Sequence, residues 1–211
     1  MRRRARKASS YRRSGPSREP YDTVMIVCEG EKTEPFYFEG ARKHYGLSSA
    51  NIEIVQAGGD PLSIARRAIQ KLNDDRELDR AYCVFDRDTH TTFDEALRLI
   101  SEHRLSANRR LFAAYSIPCF EIWLLLHFAY STAPYSPGGG RSAAANVLHA
   151  LQQRWPEYNK GRTDAFEALA TRMDKAFENA RKLMRHNASA VSANPATTIH
   201  ELVEYLKNLK K

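Results

Sequence analysis

Thr23-Val-Met-Ile-Val-Cys-Glu-Gly30 is the stretch whose reading decides the architecture. It is a short apolar run, rich in β-branched residues and ended by a glutamate and a glycine, which suits a strand buried on both faces, as in a parallel sheet. Outward from it the pattern repeats. Thr33-Glu34-Pro35 opens a helix, with proline tolerated in the first turn, that runs to Gly46. Asn51-Ile-Glu-Ile-Val-Gln56 alternates like a second strand, and Asp60-Pro61 offers an N-cap and first-turn proline for a helix to Leu72. Ala81-Tyr-Cys-Val-Phe85 makes a third strand ending in Asp86, a helix follows over 92–102, and Arg110-Leu-Phe-Ala-Ala-Tyr-Ser116 makes a fourth. Strands alternating with helices imply parallel pairing through right-handed crossovers, hence a three-layer α/β core.

Beyond Ser116 the pattern is helical, with predicted helices over 118–128, 142–154, 164–185 and 198–209 and a Pro/Gly-rich loop over 133–140. Thr198-Ile-His-Glu201 matches a capping box. The predicted organisation is a basic arm over 1–20, an α/β core over 21–132 and a helical extension over 133–211 packed on that core. A length of 211 residues suits one domain with elaborations rather than two independent ones.

The formal net charge of +8 is concentrated at one end. Arg2, Arg3, Arg4, Arg6, Lys7, Arg12, Arg13 and Arg18 against Glu19 carry +7 of it and leave the body nearly neutral. An Arg/Ser/Gly/Pro-rich segment without apolar periodicity cannot offset its ordering entropy, so the arm is expected to be disordered, and it is suited to phosphate contact through counterion release. A solvated, solubilising tail is the alternative. Cys28, Cys83 and Cys119 lie in apolar stretches without metal-ligand spacing, which argues against a zinc site or a disulfide framework. No apolar run approaches the roughly 18–20 residues of a membrane span. The expected location is cytoplasmic.

Ligands in open α/β sheets bind beyond the carboxyl ends of the strands, and that is where the acids fall. Glu29 follows the first strand, and Asp86 and Asp88 end the third. Converging carboxylates repel one another unless a cation cancels their charge. Mg²⁺ or Mn²⁺ does so with oxygen ligands while leaving positions for a substrate phosphate, and a second ion about 4 Å away would stabilise attacking and leaving oxygens together. Glu29, Asp86 and Asp88 are therefore the expected metal ligands. Glu121, in the first turn after the fourth strand, is a candidate fourth catalytic carboxylate.

Glu-Gly after one buried strand and Asp-x-Asp after another, in one βαβ series, resembles the Toprim fold of topoisomerases, primases, OLD-family nucleases and small RNases. The resemblance implies a four-stranded, mainly parallel sheet in a three-layer sandwich. It also implies a glutamate acting as general acid or base and aspartates holding metal. The wording around these acids sharpens it. Val27-Cys-Glu-Gly-Glu-Lys-Thr-Glu-Pro35, Asp86-Arg-Asp-Thr-His90, Pro118-Cys-Phe-Glu-Ile-Trp-Leu-Leu-Leu-His-Phe128 and Asn194-Pro-Ala-Thr197 together look like the RloB family, the AbiLii-type phage-resistance proteins. Ile117 stands where that family's pattern leads one to expect a polar residue.

What this resemblance implies is a nuclease-like effector of antiviral, abortive-infection defence. It would be encoded beside an ABC- or AAA-type ATPase and would act on nucleic acid, tRNA before DNA. A non-catalytic nucleotide- or metal-binding adaptor of such an ATPase is the competing reading. The number of chains that assemble is not fixed by the sequence, and a homo-oligomer is compatible with it.

Further residues carry two readings each. Lys32 suits a phosphate contact or simple charge balance among Glu29, Glu31 and Glu34. Glu34 itself reads best as a glutamate favouring the positive end of its helix. His90, in a polar loop, and His127, on an apolar helix stripe, are candidate acid/base groups or ligands, the latter competing with a core role. Lys160, in Tyr158-Asn-Lys-Gly161, is a further candidate phosphate contact.

Overall fold

A computed structural model describes residues 20–87, 90–105, 108–190 and 193–210. Its centre is a five-stranded sheet in the order β2-β1-β3-β4-β5, with β1 Val24–Cys28, β2 Ile52–Gln56, β3 Arg80–Asp86, β4 Arg110–Ile117 and β5 Ala196–Thr197. The first four strands are parallel, as the alternation of strand and helix predicts, and β5 adds an antiparallel edge. Two residues are too few to show a period, which is why β5 is invisible in the sequence.

The continuous apolar run of β1 is explained by its place between two strands and two layers, for all five of its residues are buried. Val24, Ile26 and Cys28 face α1 (Thr33–His44) and the later helices, whereas Met25 and Val27 face α2 (Pro61–Asp74) and α3 (Phe93–Glu102). Side chains alternate along a strand, so one pentapeptide seeds both cores. On the first face Trp123 of α4 (Glu121–Leu126) is fully buried, and its indole N–H donates to the Tyr37 hydroxyl at 2.7 Å, satisfying the one polar group that its burial would strand.

Asp60 caps α2 as expected. Its carboxylate accepts from the Leu62 and Ser63 N–H groups at 3.0 and 3.4 Å, from the Ser63 hydroxyl at 2.7 Å and from the Thr92 hydroxyl at 2.8 Å. These bonds, led by that from the Ser63 hydroxyl, hold its pKa down to about 2. Asp60→Ala is expected to cost about 1–2 kcal/mol, because it removes a cap and the link from α2 to α3 together. Urea denaturation near neutral pH measures the loss.

Two predicted helices and one predicted cap are redrawn. The 118–128 helix spans only Glu121–Leu126, because the chain first turns through Ile117 to Phe120 with a cis peptide before Pro118. The 164–185 helix is two helices, α6 (Ala165–Leu169) and α7 (Met173–Ser189), joined by a 3₁₀ turn over 170–172. The capping box before α8 (Ile199–Asn208) is not formed. The Thr198 hydroxyl instead accepts the Tyr115 N–H at 2.9 Å, extending the contact of this segment with β4. Among the described residues, no helix is long and apolar enough to cross a membrane.

Candidate functional site

Because β1, β3 and β4 run in one direction, their carboxyl ends share an edge, and the residues just past them are forced together. The Glu29 N–H donates to Val84 O at 2.9 Å, which carries the ladder one residue beyond β1. Its carboxylate is then held from two sides: Oε2 accepts the Asp86 N–H at 3.1 Å, and Oε1 lies 2.8 Å from His90 Nε2. Asp86 Oδ2 in turn accepts the Phe120 N–H at 3.0 Å, so the turn after β4 orients the acid that ends β3. Three segments distant in sequence thus fix two carboxylates.

A cleft of about 340 Å³ opens beside them, lined by the first turn of α1, Asp86, Glu121, Lys160 and Gly161. Two acids in it are nearly out of solvent, Glu34 at 8 % and Glu121 at 2 % exposure. Glu121 receives the Tyr158 hydroxyl at 3.3 Å and lies 3.6 Å from Lys160 Nζ. The loop carrying both partners is pinned to α1, where the Gly161 N–H donates to the Thr33 hydroxyl at 3.1 Å. Gly161 has φ +80°, and a Cβ there would press on the Lys32 side chain, so glycine suits both the backbone and the space. At Gly30 a Cβ would overlap the Glu34 carboxylate, which explains a glycine directly after Glu29.

The electrostatics are those of an anionic pocket that Lys160 compensates only in part. Burial, then the charges of Glu34 and Glu121, push Asp86 well above the ordinary aspartate range. Burial, with Glu121 and Glu29 adding to it, pushes Glu34 to about 7. Burial also raises Glu29, against the bonds from Asp86 and His90. Burial works to lower Lys160, yet Glu121 leads a set of anions that raise it above an ordinary lysine. Burial, reinforced by Glu121 and Asp86, drives the Cys119 thiol up, which argues against a thiolate nucleophile beside the cleft.

The predicted residues therefore divide. Glu29, Asp86 and His90 form one connected group, and Asp86, Glu121, Lys160 and Lys32 border the cleft. His127 is not brought there. It is fully buried among α4 neighbours, with Nδ1 3.0 Å from Trp123 O, and burial lowers its pKa to about 4. Asp88 and the arm residues Arg2, Arg3, Arg4, Arg6, Lys7, Arg12 and Arg13 lie outside the described residues.

Glu34 is the member that sequence reasoning undervalued. A glutamate in a first turn is normally read as complementing the helix dipole, and only the apolar Pro35 and Phe38, one and four residues further on, hint that this turn faces inward. The donor set fits a hard divalent cation in its chemistry, being carboxylate oxygens whose mutual repulsion a cation would relieve. Among the described residues, however, no three carboxylate or imidazole groups already stand as a ready-made ligand set.

A mostly parallel α/β sheet with acids gathered at its carboxyl edge is compatible with a Toprim-like sandwich. Within that class the chain belongs to the RloB-like family, whose model, described as RloB-like protein, matches residues 24–206, nearly the whole chain. No match was found among curated proteins.

Proposed function

We propose that the protein is a Mg²⁺- or Mn²⁺-dependent nuclease that cleaves phosphodiester bonds in nucleic acid. The observation that carries this reading is the pairing, in one cleft, of carboxylates whose protonation is forced upward with one lysine held over them. Such an arrangement is costly when empty and suits a cation bound together with a phosphate.

Asp86, with Asp88 beyond it and Glu29 alongside, would hold the cation, with Glu121 and Glu34 as the further carboxylates of the cleft. The cation supplies Lewis acidity toward a phosphodiester oxygen. Glu29, fixed between the Asp86 N–H and His90 Nε2, is placed to accept or return a proton at Oε1, with His90 steadying its charge. Glu121 positions Lys160, whose ammonium neutralises phosphate charge at the rim. Lys32, exposed on the same rim, adds a second cation.

The family resemblance leads us to tRNA as the preferred substrate, to antiviral defence as the setting and to a neighbouring ABC- or AAA-type ATPase as the controlling partner. Sequencing cellular RNA ends after induction of the wild type and of Glu29→Gln, with the neighbouring ATPase present, tests this. New ends confined to tRNA in the wild type are the expected result. Identical ends in both would remove support for tRNA cleavage and favour the adaptor reading.

A further inference from the structure

Beyond the acidic cleft, a cavity of about 370 Å³ lies between α4, α5 (Ala143–Gln152) and α7. We propose that it is a nucleotide-binding subsite, taking an aromatic base between its walls and a phosphate at Arg154. Its size falls within the roughly 300–1,000 Å³ of small-ligand pockets.

The lining is apolar on the helix sides, with Leu125 and Leu183, and polar-aromatic on the loop side, with Tyr130, Tyr135 and Ser131. Among the described residues that line it, Arg154 alone is charged. This sets it apart from the groove between α2 and α3, which is lined by Asp74, Glu95 and Glu102 as well as by arginines. Arg154 forms no ion pair among the described residues, and Lys182 Nζ lies 4.3 Å from the Tyr130 ring centroid on the same side of the molecule. A cation free of acid partners at the mouth selects an anion. Two tyrosine rings select a flat π-system, and their hydroxyls with Ser131 offer hydrogen bonds that an alkyl chain could not use.

Position ties the subsite to the cleft. Ile122, on its wall, follows Glu121 directly. Tyr135 also lines a neighbouring depression of about 330 Å³ that includes Arg87, the residue after Asp86. The Tyr135 backbone is clamped on both sides by Asn194, which accepts its N–H at 3.2 Å and donates to its carbonyl at 2.7 Å. A strand with its phosphodiester at Asp86 would pass Arg87 and reach the cavity with a nearby nucleotide. For that source of ligand, the proposal rests on the nuclease reading. A free nucleotide would use the same contacts without it.

The test is calorimetric titration of the full chain with AMP, GMP, CMP and UMP, and separately with a five-residue oligoribonucleotide. Both titrations are run in chelator, and Mn²⁺-dependent cleavage is assayed on the same preparations. Arg154→Gln alters an exposed side chain, and Ala150→Leu fills the cavity from α5. Each is expected to weaken nucleotide binding about tenfold or more, the scale of one lost charge-assisted hydrogen bond or a blocked pocket. Tighter binding of the oligonucleotide than of any mononucleotide supports the strand as source, and equal or tighter mononucleotide binding supports a free nucleotide. Arg154-dependent binding by a preparation that shows no cleavage even with the neighbouring ATPase added would uphold the subsite while the nuclease reading fails. The proposal is overturned if no nucleotide binds, if both variants bind like the parent, or if decanoate displaces the nucleotide and binds the Arg154→Gln chain undiminished.

Discussion

Asp86→Asn is expected to leave a folded chain whose metal-dependent cleavage falls by about 10²–10³-fold, the range for removing one preorganised electrostatic contact from a transition state. The two halves of this expectation have separate grounds. Folding survives because the replacement amide oxygen can still accept the Phe120 N–H, and because neutralising a group whose charge is opposed by burial, Glu34 and Glu121 relieves the metal-free chain. Its melting temperature at pH 8 in chelator should stay level or rise. Cleavage is expected to fall because Asp86 both donates its N–H to Glu29 and lines the cleft. Cleavage of a labelled RNA in Mn²⁺ measures the effect, and parental rates from the variant would remove Asp86 from the chemistry.

The second large effect is a pH dependence opposite to that of an ion-paired carboxylate. Glu34 has a pKa near 7 in the folded chain against an ordinary 4.5, so between these values the folded state holds the proton and the unfolded state does not. Stability from this group is therefore complete below about pH 4.5 and is lost as pH rises toward and through 7. The loss amounts to about 3 kcal/mol. His127 works the other way: buried and lowered to about 4, it makes the chain lose stability as pH falls below its unfolded value of 6.5. The informative quantity is thus the difference between parent and Glu34→Gln in urea denaturation at pH 5 and pH 8. The variant should gain about 3 kcal/mol over the parent on going from the lower to the higher pH. A difference that does not change with pH would show Glu34 to be an ordinary solvated carboxylate.

How much of this was legible in the sequence follows from the range of the forces involved. β1 announced itself because double burial demands an unbroken apolar pentapeptide, and Asp60 because a cap is made with the next three residues. Glu29 and Asp86 could be placed together because parallel strands fix where their ends fall. Contacts made by distant segments left no local trace. Lys160 reaches Glu121 only because Gly161 docks on Thr33, 128 residues earlier, and nothing in the Tyr158–Gly161 tetrapeptide records that partner. The inward turn of Glu34 depends on Gly30 leaving room for its carboxylate. The break between α6 and α7 comes at Ala170–Arg172, where no glycine or proline marks it. His127 sat on an apolar stripe, and burial there left it in the core.

The two-residue strand β5 has a consequence for synthesis. Thr197 meets Ser116 across 81 residues, with the two hydroxyls 3.1 Å apart, and it closes the sheet edge next to the strand whose turn holds Asp86. Pairing over so long a separation cannot form until the later residue has been synthesised, and its loop-closure cost makes it slow. A nascent chain can lay down β1 to β4 and bring Glu29 to Asp86, but Lys160 is added only later and the edge is sealed later still. On the nuclease reading proposed above, the cleft would stay without its lysine until residue 160 has emerged from the ribosome, and the sheet edge would stay open until residue 197 has followed.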